Sequence, residues 1–163
     1  MLGCGNVLFG DDGFGPAVIE NILKGKNVPV NACFMNAGSS VREILFNVVL
    51  SDRKPERIIV VDAMASGRTP GTVVEVEIDS IPKNKRDDFS MHHIPTSNLL
   101  RELRDFCGIK VKLIVLEPPE IPPEVRPGLS GAAGEAVGRA AQLIIGMCTK
   151  ESMATMEPVR SEP

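Results

Sequence analysis

The chain has 163 residues, enough for one domain built around a single hydrophobic core. Hydrophobic residues make up 43% and charged residues 24%, which is typical of a globular protein and excludes a disordered, collagen-like or coiled-coil chain. The net charge of −3 argues against nucleic acid as the main partner, because binding to phosphates needs a basic face.

The predicted location is the cytoplasm, without membrane association. No apolar run approaches the ~20 residues that a membrane helix requires. The chain opens Met-Leu-Gly-Cys-Gly rather than with a basic and then apolar leader. The cysteines contain no Cys-x-x-Cys pair, and we expect four reduced thiols, mostly buried, at Cys4, Cys33, Cys107 and Cys148.

In the first half of the chain, strands alternate with helices. Only Met1 and Leu2 precede the first glycines, so the first strand is a stub unless the natural start lies upstream. A helix begins after the turn at 10–15, and alternation at 28–34 predicts a strand. Ser40 and Glu43 form the pattern of a capping box before a second helix. The uninterrupted apolar run at 58–61 is typical of a central parallel strand that is covered on both faces.

The second half repeats this alternation. Residues 72–78 predict a strand with one wet face, at an edge of the sheet. A helix follows Pro95, and another strand occupies 111–116. A stiff loop with five prolines then leads to Ser130, which can cap the last helix.

These elements predict an α/β fold: a three-layer sandwich with a mostly parallel sheet, helices on both faces and one antiparallel edge strand. A single domain should span residues 1–148. Residues 149–163 carry charge and proline without an apolar period, which predicts a disordered tail.

The glycine-rich segment 3–13 resembles two phosphate-binding loops but fits neither. The dinucleotide pattern Gly-x-Gly-x-x-Gly fails at its third glycine, where Leu8 stands. The pattern Gly-x4-Gly-Lys-Ser/Thr fails because Asp11 and Asp12 replace the lysine and the hydroxyl. Two carboxylates repel phosphate and attract a cation, so nucleotide binding is excluded.

Three loops are predicted to bring acids and imidazole to one edge of the sheet. Asp11 and Asp12 follow the first strand, and Asp62 ends the apolar run at 58–61. His92 and His93, the two histidines of the chain, precede the helix that follows Pro95. Ligands in open α/β sheets bind at the carboxyl ends of the strands. A mixed set of oxygen and nitrogen donors suits a divalent ion such as nickel or zinc.

Each of these residues has a structural alternative. Either acid of the pair at 11–12 could cap the first helix, since the helix macrodipole favours a negative charge there. Asp62 could form a turn at the end of its strand, and a histidine in a loop is often merely solvated. Spacing alone leaves these alternatives open.

The motifs in their order resemble the hydrogenase maturation endopeptidases, roughly over residues 3–147. The string Gly-Cys-Gly-Asn-x-Leu-x-Gly-Asp-Asp-Gly-x-Gly at 3–15 is similar to the opening motif of that family. Ile-Ile-Val-Val-Asp-Ala at 58–63, followed by Pro-Gly at 70–71, is similar to the second. Ser-Met-His-His-Ile-Pro at 90–95 is similar to the third, and the stretch from Glu117 to Ser130 to the late proline-rich segment. Details at 36–40 and 91–96 look most like the methanogen branch that serves the coenzyme F-420-reducing hydrogenase.

The resemblance implies an endopeptidase that removes a C-terminal peptide from the nickel-loaded precursor of a [NiFe]-hydrogenase large subunit. It implies that Asp12, Asp62 and His92 are both the metal ligands and the catalytic residues. Nickel would be carried by the substrate and serve as the recognition element, and zinc or cadmium would be able to occupy the same site. The partner would be the precursor, and we expect the protease to be a monomer.

A rival interpretation is a non-catalytic nickel chaperone of hydrogenase assembly that uses the same three ligands. The segment Asn-Ala-Gly-Ser at 36–39 also departs from the Asp-Gly-Gly-Thr of many relatives, so a charge from that loop is not expected here.

Overall fold

The fold is a five-stranded sheet between two layers of helices. The computed structural model describes residues 1–81 and 97–154. Its elements are β1 Leu2–Cys4, a 3-10 turn Gly10–Gly13, α1 Phe14–Lys24, β2 Met35–Gly38, α2 Val41–Leu50, β3 Arg57–Ala63, β4 Val73–Val76, a second 3-10 turn Ile78–Ser80, α3 Ser97–Cys107, β5 Lys110–Leu116 and α4 Gly131–Ala154.

The strand order is β2-β1-β3-β5-β4. Strands β1, β2, β3 and β5 run parallel, whereas β4 pairs antiparallel with β5 at one edge. The predicted fold class, including the antiparallel edge strand, is confirmed. Because the four parallel strands point the same way, the loops that follow them meet at one edge of the sheet, here called the carboxyl edge.

The central strand β3 shows why its sequence lacks alternation. Ile58 and Val60 belong to the core cluster that packs with α2 and α3, whereas Ile59 and Val61 belong to the cluster with α1 and α4. All four are buried, because successive side chains of a strand point to opposite faces and both faces are covered.

Glycines allow α1 to lie directly on the ends of β1 and β3. A Cβ added at Gly15 would lie 2.3 Å from the Val61 carbonyl oxygen and 2.4 Å from that of Cys4. A Cβ at Gly3 would lie 2.4 Å from the Gly15 carbonyl oxygen. Only glycine fits this contact, which sets the start of α1, and the turn before it, against the carboxyl edge.

The predicted strand at 28–34 is wrong. Strand β2 begins at Met35, where the Met35 N–H donates to the Met1 carbonyl at 3.0 Å. Val30 is fully exposed and Val28, Ala32 and Phe34 are partly buried, so the alternation before β2 does not form a buried strand face. The chain joins the sheet only where it reaches β1, and the short β1 offers partners to few residues.

Two helix ends also differ from expectation. Ser40 precedes α2, but its side chain makes no capping hydrogen bond. Helix α4 continues through Ala154, past the predicted domain boundary at 148, and the rest of the predicted tail, 155–163, lies outside the described residues. Over the described part of the chain, no helix has both the length and the apolar character to cross a membrane.

Candidate active site

The 3-10 turn at Gly10–Gly13 places two acids at the carboxyl edge. Its four residues are buried, and the side chains of Asp11 and Asp12 leave the turn toward different partners. Neither acid caps α1, whose N-cap is Gly13 and lacks a side-chain capping bond. The alternative that one of them is the cap of the first helix is therefore wrong.

Asp12 is enclosed by the loop that follows β1. Its Oδ2 accepts a hydrogen bond of 2.7 Å from the Asn6 N–H. Asn6 also shapes this loop, since its Oδ1 accepts from the Leu8 N–H at 3.0 Å. Gly5, with φ of +107°, passes so close that an added Cβ would lie 1.8 Å from the Asp12 carbonyl oxygen. Glycine and asparagine in the opening motif thus hold the Asp12 carboxylate in place.

Asp62 is the sixth residue of β3 and sits at its carboxyl end, partly exposed. Its Oδ1 accepts a hydrogen bond of 2.8 Å from the Ala63 N–H. Burial raises the pKa of Asp62 to about 7; the Ala63 hydrogen bond opposes this rise and the charge of Asp12 adds to it. The pairing of Gly3 with Val61 sets the end of β1 beside Asp62, so Asp62 and the turn that carries Asp12 occupy the same part of the carboxyl edge.

Cys4 lies at the carboxyl edge, in the same region as the two acids. It is buried at the end of β1, next to β3, and its Sγ contacts the Leu2 carbonyl at 3.9 Å. Burial raises the pKa of the Cys4 thiol strongly, and the charges of Asp62 and Asp12 raise it further. The thiol stays protonated near neutral pH, so Cys4 is a buried residue that packs beside the site rather than a nucleophile.

Asp11 joins the turn to the last helix. Its Oδ1 accepts from the Ser130 N–H at 2.6 Å, and its Oδ2 accepts from the Ser130 hydroxyl at 2.7 Å. The Ser130 hydroxyl in turn accepts from the Ala133 N–H at 3.2 Å, so the predicted cap of the last helix is confirmed. The amino end of α4 favours a carboxylate, which stabilises Asp11 there. The two neighbouring acids thus divide their roles.

Glu117 fixes the loop that follows Asp62. This residue is 5% exposed, and its carboxylate accepts from the N–H and hydroxyl of Ser66 and from the Gly67 N–H. Burial alone would raise the pKa of Glu117, but these hydrogen bonds outweigh burial and lower it. Its backbone also bonds to Gly71 and Thr72. Asp62 therefore leads into an ordered loop.

Of the predicted triad, the structure brings together Asp12 and Asp62. His92 and its neighbour His93 lie outside the described residues. Within 1–81 and 97–154, no three His, Cys, Asp or Glu side chains form a cluster able to hold a metal ion. In the predicted site, Asp12 and Asp62 would supply two of the three ligands.

Sequence reasoning missed Asn6 and Glu117. Asn6 had a readable signal, because Asn before a turn bonds its own backbone two residues on. Glu117 follows a buried strand at the carboxyl edge, as Asp62 does, and that position is its signal. No sequence signal pointed to the hydrogen bond between Asp11 and Ser130, since Ser130 lies 119 residues away in sequence.

Comparison with known proteins identifies the family. A family model described as HycI, hydrogenase maturation protease, matches residues 16–147. MJ0253 of Methanocaldococcus jannaschii, a candidate hydrogenase maturation protease, is 38% identical over 92% of this chain and 96% of its own. The coenzyme F420 hydrogenase subunit delta of Methanothermobacter thermautotrophicus is 37% identical over 89% of this chain and 90% of its own. The predicted resemblance, including its methanogen branch, is confirmed.

Solved structures share the fold. The endopeptidase HycI from Escherichia coli superposes with a TM-score of 0.70 at 24% identity, covering 89% of this chain and 87% of its own. A hydrogenase 3 maturation protease superposes with a TM-score of 0.66 at 26% identity, covering 86% and 85%. These findings favour the protease over the chaperone. The chain belongs to the hydrogenase maturation protease family and is an endopeptidase.

Proposed function

We propose that the protein removes the C-terminal peptide from the nickel-loaded precursor of a [NiFe]-hydrogenase large subunit and recognises the nickel through Asp12, Asp62 and His92. Nickel belongs to the substrate in this proposal, and zinc or cadmium would bind the same acids in its place. The protein would act as a cytoplasmic monomer.

The convergence of Asp12 and Asp62 carries the proposal. Asp12 comes from the segment after β1 and Asp62 from the carboxyl end of the neighbouring β3, and each has a backbone N–H that orients it, from Asn6 and Ala63 respectively. Burial raises the pKa of Asp62, and repulsion from the charge of Asp12 raises it further. A divalent cation removes that repulsion, and carboxylate oxygen is a suitable ligand for it.

A site with a small number of protein ligands is better suited to recognising a metal on another protein than to storing a metal ion. A structural metal site in a protein surrounds its ion with four ligands, and the proposed site has three. The open positions are available to a metal that the precursor already holds. Docking through the metal would then bring the C-terminal tail of the precursor to the same acids, where a carboxyl group with a pKa of about 7 is able to exchange a proton at neutral pH.

The acids are tested by charge removal. We expect both Asp12→Asn and Asp62→Asn to abolish processing of the nickel-loaded precursor, because each loses half of the negative charge offered by the acid pair. The measurement is the mass of the large subunit after incubation with each variant. Asp52→Asn is the matched control, since this exposed acid lies between α2 and β3 and should leave processing unchanged. Normal processing by either site variant would show that the substituted acid is not needed for cleavage.

The histidines are tested in the same assay. Spacing from Ser90 and Pro95 in the resembling motif assigns the ligand to His92. We expect His92→Ala to abolish processing, whereas His93→Ala retains most of it. The reverse ranking would transfer the assignment to His93.

A further inference from the structure

Exposed apolar side chains flank Asp12 at the carboxyl edge. Val7 and Leu8 follow β1 and are 54% and 46% exposed, and Val125 in the proline-rich loop is 64% exposed. We call these three residues the rim patch. Exposing large apolar side chains to water is unfavourable, and a group of them beside an active site indicates a binding surface.

Backbone hydrogen bonds join the two loops that carry the rim patch. The Arg126 N–H donates to the Leu8 carbonyl at 2.8 Å, and the Gly10 N–H donates to the Arg126 carbonyl at 2.9 Å. The Val7 backbone packs on Gly13, where an added Cβ would lie 3.0 Å from the Val7 Cα. Gly13 directly follows Asp12, so the patch is continuous with the site.

A groove runs next to the patch, between the 3-10 turn and the proline-rich loop. Its walls combine small and apolar residues with polar and charged ones: Gly10, Pro119, Pro122, Gly128 and Leu129 with Asp11, Glu120, Arg126 and Ser130. The prolines fix their φ angles, which makes the wall stiff before any ligand arrives. A preformed groove of mixed apolar and polar lining costs little ordering on binding and suits an extended peptide.

We propose that the rim patch and this groove bind apolar side chains of the precursor next to the bond that is cleaved, with the precursor in an extended conformation. The proposal rests on the proposed function and deepens it. An endopeptidase must hold a polypeptide on both sides of its reacting groups, and the rim patch is the apolar surface that adjoins Asp12. Nickel would then select the state of the precursor, while the patch holds the segment to be cut.

The test replaces the patch by polar residues of smaller size. The triple variant Val7→Ser, Leu8→Ser, Val125→Ser should fold normally, because all three side chains are exposed. We expect its Kd for the nickel-loaded precursor to rise at least tenfold. In processing, kcat/KM should fall by a similar factor through KM, with kcat unchanged. If the triple variant fails to fold, as judged by its thermal melt, Val125→Ser alone is measured, with a Kd at least twice that of the wild type expected.

The control variant carries Leu23→Ser, Leu50→Ser and Phe106→Ser. These side chains are also exposed, at 53%, 68% and 85%, and each stands in the last turn of its helix, α1, α2 or α3. The helices return the chain to the opposite edge of the sheet, away from Asp12. We expect this variant to match the wild type in Kd and in kcat/KM.

Three results would overturn the rim patch as a substrate surface. One is a Kd equal to that of the wild type. A second is a loss confined to kcat, which would show that the substitutions distort the 3-10 turn that carries Asp12. A third is a change from dimer to monomer in sedimentation with unchanged processing, which would assign the patch to a second copy of the chain. Wild-type protein that cleaves nickel-free and nickel-loaded precursor equally would refute only the nickel role, since the Kd comparison stands apart from it.

Discussion

Asp62 illustrates how a functional residue costs stability. Burial and the neighbouring Asp12 hold its folded-state pKa at about 7, above the value of an unfolded aspartate. The folded protein therefore binds more protons than the unfolded chain between about pH 4 and pH 7, and the free energy of unfolding falls as the pH rises through that window. The site would carry this penalty until a cation docks.

We expect Asp62→Asn to remove the penalty. The difference in free energy of unfolding between the variant and the wild type should grow by about 1–3 kcal/mol, in favour of the variant, from pH 4 to pH 8. This range follows from about 1.4 kcal/mol for each pKa unit and is reduced because Asp62 is partly exposed. Urea unfolding at both pH values, with a chelator present, measures the gain. Asp52→Asn should follow the wild-type pH dependence. A gain that is equal at both pH values would show that the charge of Asp62 is not the cause.

The residue types of the site were readable from the sequence, but their partners were not. The sequence placed Asp12 and Asp62 at the carboxyl edge, because loops after parallel strands meet there. It left open which acid of the pair at 11–12 was a cap, since both adjoin the same helix start. Only the fold shows that Asp11 bonds to Ser130, because such a bond depends on packing between segments 119 residues apart.

At the scale of elements, the contact between α1 and the strands positions the 3-10 turn Gly10–Gly13, which carries Asp11 and Asp12. We expect Gly15→Ala to lower the free energy of unfolding by about 2–3 kcal/mol, because its Cβ would lie within 2.5 Å of three backbone atoms of Val61 and Cys4. Backbone atoms of a central sheet have little room to move, so α1 would shift instead.

The matched control is Gly134→Ala in α4. An added Cβ there meets nothing within 4 Å, and alanine favours helix over glycine by up to about 1 kcal/mol. Urea denaturation should therefore show opposite signs for the two substitutions. If Gly15→Ala proved as stable as the wild type, close packing of α1 would not be what positions the turn.

The elements themselves were predicted where pattern and packing agree. The apolar run of β3 and the alternation of β4 were read correctly, because burial on two faces or on one face leaves its mark in the sequence. The alternation at 28–34 had the same pattern as a strand, yet Val30 is exposed. Pairing in the sheet depends on what β1 can reach, and that information is not in the local sequence.

Across the whole molecule, the fold and the family match what the sequence predicts. The mostly parallel sheet with helices on both faces follows from the alternation of elements, and the motifs predict the hydrogenase maturation protease family that the comparison identifies. The described residues bring Asp12 and Asp62 together, and the predicted third ligand, His92, lies outside them. Nickel recognition is therefore proposed from the two acids together with the motif at 90–95.

The most direct measurement compares nickel-loaded and nickel-free forms of the same purified precursor, incubated with the wild-type protease and followed by the mass of the large subunit. We expect cleavage of the loaded form and none of the free form, because Asp12 and Asp62, once both are deprotonated, carry a formal charge of −2 that favours a divalent centre over bare thiols. Equal cleavage of both forms would contradict it and leave a protease that recognises its substrate without the metal.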